Sequence, residues 1–169
     1  MSAAANSQAG TMKNRMSLER KSDRELVITR LVNAPPRVVF EAWSCVELFQ
    51  RWWVPKSIGM TLMACELDVR AGGTYRLVFS HPAFPDGMTF HGRYLEVTAP
   101  SRLVWTNEEA GGNGQVTTVT FEERGEQTLI KVHELYTSKE ALDQDFAAES
   151  ISWSDESFDQ LDELLASGR

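Results

Sequence analysis

Glu134, His133 and Arg70 are the side chains whose type and setting could do chemistry. In "EQTLIKVHELY" (126–136) the alternation of a strand puts Glu134 on one face with Ile130 and Val132, and His133 on the other with Leu129 and Leu135. If the Ile130 face is inward, Glu134 is a carboxyl group against an apolar wall. Desolvation there raises its pKa and suits it to handle a proton. At a strand end in water it is an ordinary solvated acid. In "DVRAGG" (68–73) Asp68 and Arg70 lie two apart on one strand face, so they can pair or cap a turn around Gly72-Gly73; alternatively Arg70 projects into a cavity mouth and meets an anionic group.

Other chemistries lack their motifs. His81, His91 and His133 sit on separate elements without metal-ligand spacing such as HExxH, so no metal site is expected. Cys45 and Cys65 form neither a CxxC nor a metal pattern and read as buried thiols, with one disulfide as the alternative. The chain has no GxSxG, no GxxxxGK[ST] and no GxGxxG, and "AGGNG" does not open a helix. No catalytic residue is assigned and no cofactor is expected.

The clearer signal is apolar. Trp52 and Trp53 stand side by side before Pro55; neighbours on a helix point about 100° apart, so one is expected toward the sheet and the other toward the rim. Phe40 and Trp43 precede them at helical spacing. Strand alternation groups Tyr75 with Leu77 and Phe79, Phe90 with Met88, Gly92 and Tyr94, and Leu103 with Trp105. With Trp153 these aromatics suffice to line a pocket, with Arg70 and Glu134 as its polar candidates. The same residues also suit plain core packing.

The positioning elements follow from periodicity. Residues 1–22 have no hydrophobic period and read as a flexible leader, leaving 23–169 as one domain. "RELVITRLVN" is a strand, "PRVVFEAWS" and "VELFQRWW" are two short helices, and period-two runs then continue to Tyr136. Phe158, Leu161, Leu164 and Leu165 form an apolar stripe on a final helix within 138–166, extended by Ile151 and Trp153. The expected fold class is α+β: a curved antiparallel sheet of about six or seven strands around a long C-terminal helix.

Composition bounds the rest. The 169 residues are 42% hydrophobic with no run long enough to span a membrane, and the N-terminus lacks the apolar stretch of a secretory signal, so a cytoplasmic protein is the expectation. The net charge of −7 gives no support to nucleic-acid binding. It is uneven: residues 1–30 carry six Lys/Arg against three Asp/Glu, and residues 134–167 carry ten Asp/Glu against one Lys. The acidic end reads as the solvated side of a helix, or as a surface for a basic partner.

Five segments in order carry a resemblance: "APPRVVFEAW" (34–43), "RWWVP" (51–55), "DVRAGG" (68–73), "GRYLEV" (92–97) and "SW" (152–153). Over about residues 24–166 the chain resembles the helix-grip fold of the START-like (SRPBCC) superfamily. The matching branch is named after the carboxyl-terminal domain of the activator of the 90-kDa heat-shock chaperone's ATPase. Ser152 stands where that pattern has glycine. The resemblance implies a helix-grip domain and a choice of roles. First is binding of a small hydrophobic or aromatic molecule between sheet and helix. A cyclase- or hydrolase-like enzyme is the second, with Arg70, Glu134 or a histidine moving protons, and a chaperone-activating protein interaction is the third. A homodimer is compatible with the fold.

Overall fold

The computed structural model describes residues 15–108, 115–148 and 153–167. Ile151, Ser152 and the "AGGNG" loop lie outside them, as do residues 1–14 of the expected leader.

The chain forms one eight-stranded antiparallel sheet with helices on one face. β1 (Ser17–Arg20) and β2 (Glu25–Val32) form a hairpin at one edge. The helices α1 (Pro36–Ser44) and α2 (Val46–Phe49) follow, then a 3-10 turn at Lys56–Ile58. The strands β3 (Thr61–Leu67), β4 (Thr74–His81), β5 (Phe84–Thr98), β6 (Arg102–Asn107), β7 (Gln115–Arg124) and β8 (Gln127–Leu135) pair in sequence, and β8 closes against β2. The spatial order is β1-β2-β8-β7-β6-β5-β4-β3.

Eight strands replace the expected six or seven. The addition is β1, within the segment read as leader: Ser17–Arg20 is short and exposed along its length, and it pairs with Thr29 to Leu26 by backbone hydrogen bonds that need no apolar pattern. The final helical region also differs. It holds two helices, α3 (Lys139–Ala148) and α4 (Asp155–Ala166), because Ser154 caps a new start: its side chain accepts a hydrogen bond from the Ser157 N–H. Asp155 and Glu156 in the first turn of α4 complement its dipole.

Alternation sets the inner face. Leu26, Ile28, Arg30 and Val32 of β2 point inward, as do Thr128, Ile130, Val132 and Glu134 of β8 and Tyr75, Leu77 and Phe79 of β4. β7 and β8 turn at Gly125, whose φ of +64° lies in the left-handed region that glycine enters freely. Gly92 answers a different need: a Cβ there would collide with the Thr106 carbonyl, so glycine lets β5 and β6 cross closely.

The acidic run proves more than a solvated face. Arg30, with its side chain wholly inaccessible, reaches Asp159 and Asp162 at 2.9 Å each and Asp155 at 3.4 Å. Its guanidinium also lies 5.7 Å from the Phe158 ring centroid. The three aspartates recur at i, i+4 and i+7 on one face of α4, and so clamp that helix to β2. Asp162 further accepts from the Asn33 N–H and Asp155 from the Met16 N–H. Burial nevertheless pushes the Asp162 carboxyl above the usual range, against the pull of Asn33 and Arg30.

Candidate ligand cavity

The paired tryptophans part company. After α2 the chain winds on through Trp52 N–H to Phe49 O and Trp53 N–H to Phe49 O, so the two indoles diverge. Trp52 is core: it is 1% exposed, its Nε1–H donates to the Ala42 carbonyl at 3.0 Å, and it packs on Trp43 at 4.9 Å between centroids. Trp53 is half-buried, stacked on Phe49 at 4.8 Å and edge-on to Trp153 at 5.1 Å. Helix α4 holds the segment by its backbone. Gln160 Nε2 donates to the Trp52 and Val54 carbonyls, both at 2.9 Å, and the Ser157 hydroxyl donates to the Trp53 carbonyl at 2.8 Å.

Trp53 forms part of the wall of a cavity of about 340 Å³ over the inner sheet face. That volume falls in the range of roughly 300–1,000 Å³ that accepts small organic molecules. The floor comes from Leu67, Tyr75, Leu77, Phe90, Tyr94, Leu103 and Trp105 on β3 to β6, and from Thr117 and Glu134 on β7 and β8. Trp43, Phe49, Trp53, Trp153 and Asp145 of α3 close it from the helical side. The sequence pattern predicts a space between the sheet and the last helix. In the structure α4 contributes none of its described lining residues; it braces the segment that does.

Of the twelve candidates, eight meet on this wall: Trp43, Trp53, Tyr75, Phe90, Tyr94, Trp105, Glu134 and Trp153. Phe40, Trp52, Phe79 and Arg70 do not line it. Phe40 packs against Phe121 at 5.5 Å and Phe79 against Phe90 at 5.2 Å, one layer behind the surface. Arg70 is exposed at the β3–β4 turn, paired with Asp68 at 3.0 Å, because the turn carries it away from the sheet interior. Sequence reasoning missed Asn107, Gln115, Thr117, Tyr136 and Asp145, which make the polar end of the cavity. Strand alternation carried the signal for Gln115 and Thr117, which share a face with Val119, and for Tyr136, two residues past Glu134; Asp145 had none.

Glu134 organises that end. Its Oε1 accepts from Thr117 Oγ1 at 2.6 Å and from Gln115 Nε2 at 2.7 Å; its Oε2 accepts from Trp153 Nε1 at 2.6 Å. Burial pushes its carboxyl above the usual range, opposed by these three donors. Beside it, the Tyr136 hydroxyl donates to Asp145 Oδ2 at 2.8 Å, and burial together with Asp145 holds that phenol far above its ordinary value. The Tyr75 hydroxyl donates to the Thr106 carbonyl at 2.7 Å, and Asn107 Nδ2 donates to Thr117 Oγ1 at 2.9 Å. Trp43 Nε1 is buried with no hydrogen-bond partner among the described residues.

The described histidines and cysteines do not line the cavity. His133 faces outward and pairs with Glu25 at 2.8 Å; that hydrogen bond holds the Glu25 carboxyl below its usual range. His81 Nε2 lies 3.0 Å from the Ile58 carbonyl. Both cysteines are free thiols, and burial pushes Cys65 up to about 11, which disfavours its thiolate.

A family model described as "Activator of Hsp90 ATPase homolog 1-like protein" (AHSA1) matches residues 33–166. The chain belongs to this family. The match spans all five segments noted in the sequence, and with them α1 and the tryptophan pair. Solved structures share the fold. A protein from Rhodobacter sphaeroides is 22% identical with a TM-score of 0.80, covering 90% of this chain and 98% of its own. A Nitrosomonas europaea protein is 21% identical at a TM-score of 0.76, covering 89% and 99%. An AHSA1-like protein from Aeromonas hydrophila is 17% identical at 0.64, covering 84% and 93%. A search of curated proteins gives no match. Among the described residues no helix is long and apolar enough to cross a membrane.

Proposed function

We propose that this AHSA1-family chain binds a small hydrophobic or aromatic molecule in the cavity over the inner sheet face. The observation that carries the reading is the cavity's construction: about 340 Å³ walled by four indoles, with the hydrogen-bonded carboxyl groups of Glu134 and Asp145 at its polar end. Burial supplies the drive at about 25 cal/mol per Å² of apolar surface. The polar end fixes orientation. A panel of apolar and aromatic compounds titrated against tryptophan emission tests it. Saturable quenching or a blue shift by at least one compound supports the reading, and a flat response across the panel refutes it.

A catalytic second reading has one observation in its favour. Glu134 and Asp145 both line the cavity, and Tyr136 is coupled to both. An elevated carboxyl beside a second acid is a setting in which a proton can be passed to a bound substrate. Turnover of a bound compound, lost in Glu134→Gln with binding retained, would distinguish enzyme from carrier.

A further inference from the structure

We propose that the cavity selects an organic cation: a protonated arylalkyl amine that donates an N–H to Glu134 while its apolar part lies among the indoles. This rests on the cavity reading above and adds the charge and hydrogen-bonding class of the ligand.

Three independent features point the same way. The first is charge. Glu134 and Asp145 line the cavity, and among the described residues no lysine, arginine or histidine does. His133, next to Glu134 on the opposite face of β8, is paired with Glu25 at 2.8 Å, and Arg93 on β5 is 60% exposed and paired with Glu108 at 2.8 Å. An anionic ligand would therefore leave water to meet the Glu134 carboxyl with no basic side chain on the described wall. A cation would supply the charge that a buried carboxylate lacks.

The second is the count of lone pairs. A carboxylate offers about four acceptor positions. Thr117 and Gln115 take two on Oε1 and Trp153 takes one on Oε2. One position on Oε2 is left, on a residue of the cavity wall. Filling it requires a proton or a donor from a ligand, and an ammonium N–H provides the stronger, charge-assisted bond.

The third is the wall. Trp43, Trp53, Trp105 and Trp153 surround the space, and indole is the ring whose face attracts a cation best. Trp153 serves twice, with its ring on the wall and its N–H orienting Glu134. The same geometry suits an aryl group against the indoles and an ammonium at the carboxyl end.

The test uses matched probes: the para-tert-butyl derivatives of benzylamine, benzyl alcohol, ethylbenzene and benzoic acid, titrated by tryptophan emission and calorimetry near neutral pH. The amine is expected to bind at least about tenfold more tightly than the ethylbenzene, as a desolvated cation–π and charge-assisted contact implies, with the alcohol between and the benzoate weakest. Equal affinity for amine and hydrocarbon, or preference for the benzoate, overturns the cation inference while leaving the cavity reading in place. Silence from all four overturns both. In Glu134→Gln the amine preference should fall to about threefold or less, and in Asp145→Asn, which keeps an acceptor for Tyr136, it should weaken partially. Undiminished preference in both variants contradicts the assignment, and the wild-type comparison decides alone if Glu134→Gln does not fold.

Discussion

Replacing Arg30 by methionine keeps most of the side chain's length and apolar stem but removes the charge that gathers Asp155, Asp159 and Asp162. Removing one partner of a buried ion pair costs roughly 3–5 kcal/mol, because the other charge stays behind unpaired. Here the acids can partly rehydrate, since Asp155, Asp159 and Asp162 have side chains 35%, 24% and 18% exposed. The lower end applies, about 3 kcal/mol. At a urea m-value of about 2 kcal/mol/M this moves the unfolding midpoint down by about 1.5 M, with m unchanged. The loss should shrink on acidification. Without Arg30 the Asp162 carboxyl, already raised by burial, loses the guanidinium that pulls it down and rises further, so the variant gains stability relative to wild type as pH falls through it. Adding Asp159→Asn and Asp162→Asn to the variant should recover part of the deficit, as expected for residues in one network. Urea melts followed by far-UV circular dichroism measure all three. A midpoint shift under about 0.3 M, or a deficit that grows in acid, would refute the view that this cluster clamps α4 to the sheet.

Other perturbations probe the cavity. Leu77→Phe adds bulk at the floor; if the space is hollow it should cost less than about 1 kcal/mol while weakening apolar ligands, whereas a filled core would lose about 1–3 kcal/mol to overpacking. Trp153→Phe removes the donor to Glu134 Oε2 and should cost about 1–2 kcal/mol, with the Glu134 carboxyl titrating higher still by carbon-detected NMR. Glu134 has a folded pKa raised above its unfolded value, so its contribution to stability is present below the unfolded value and is lost as pH rises through the folded one. Wild type minus Glu134→Gln stability should therefore be greater at about pH 5 than at about pH 8 in paired urea melts; the opposite order would show that the carboxyl is held ionised.

How much of this was legible in the sequence depends on which physical rule governs each residue. Strand alternation is local, so it grouped Tyr75 with Leu77 and Phe79, and Glu134 with Ile130 and Val132, without knowledge of any partner; the fold shows both faces to be the inner one. The same rule put Arg30 inward beside Ile28 and Val32, and Asp155, Asp159 and Asp162 share one helical face. That juxtaposition went unread because charges in a strand and acids on a helix are each usually solvated. Which of Trp52 and Trp53 is core depends on how α4 captures their carbonyls, a contact about a hundred residues distant in sequence. Asn107, Gln115 and Asp145 lie at strand ends or on a weakly amphipathic helix, where polar residues are unremarkable until the fold gathers them. Four aromatic residues show the same limit: helical or strand periodicity tells inside from outside, and only three-dimensional packing separates Phe40 and Phe79 in the core from Phe90 and Trp105 on the cavity wall.

The central claim is that the sheet's inner face encloses an accessible hollow. A crystal structure under xenon pressure tests it most directly, since xenon occupies apolar cavities and not packed cores. The account predicts at least one xenon site in contact with Trp43, Trp105 or Trp153. Absence of xenon there, with the indoles and leucines closed over the space, would contradict it.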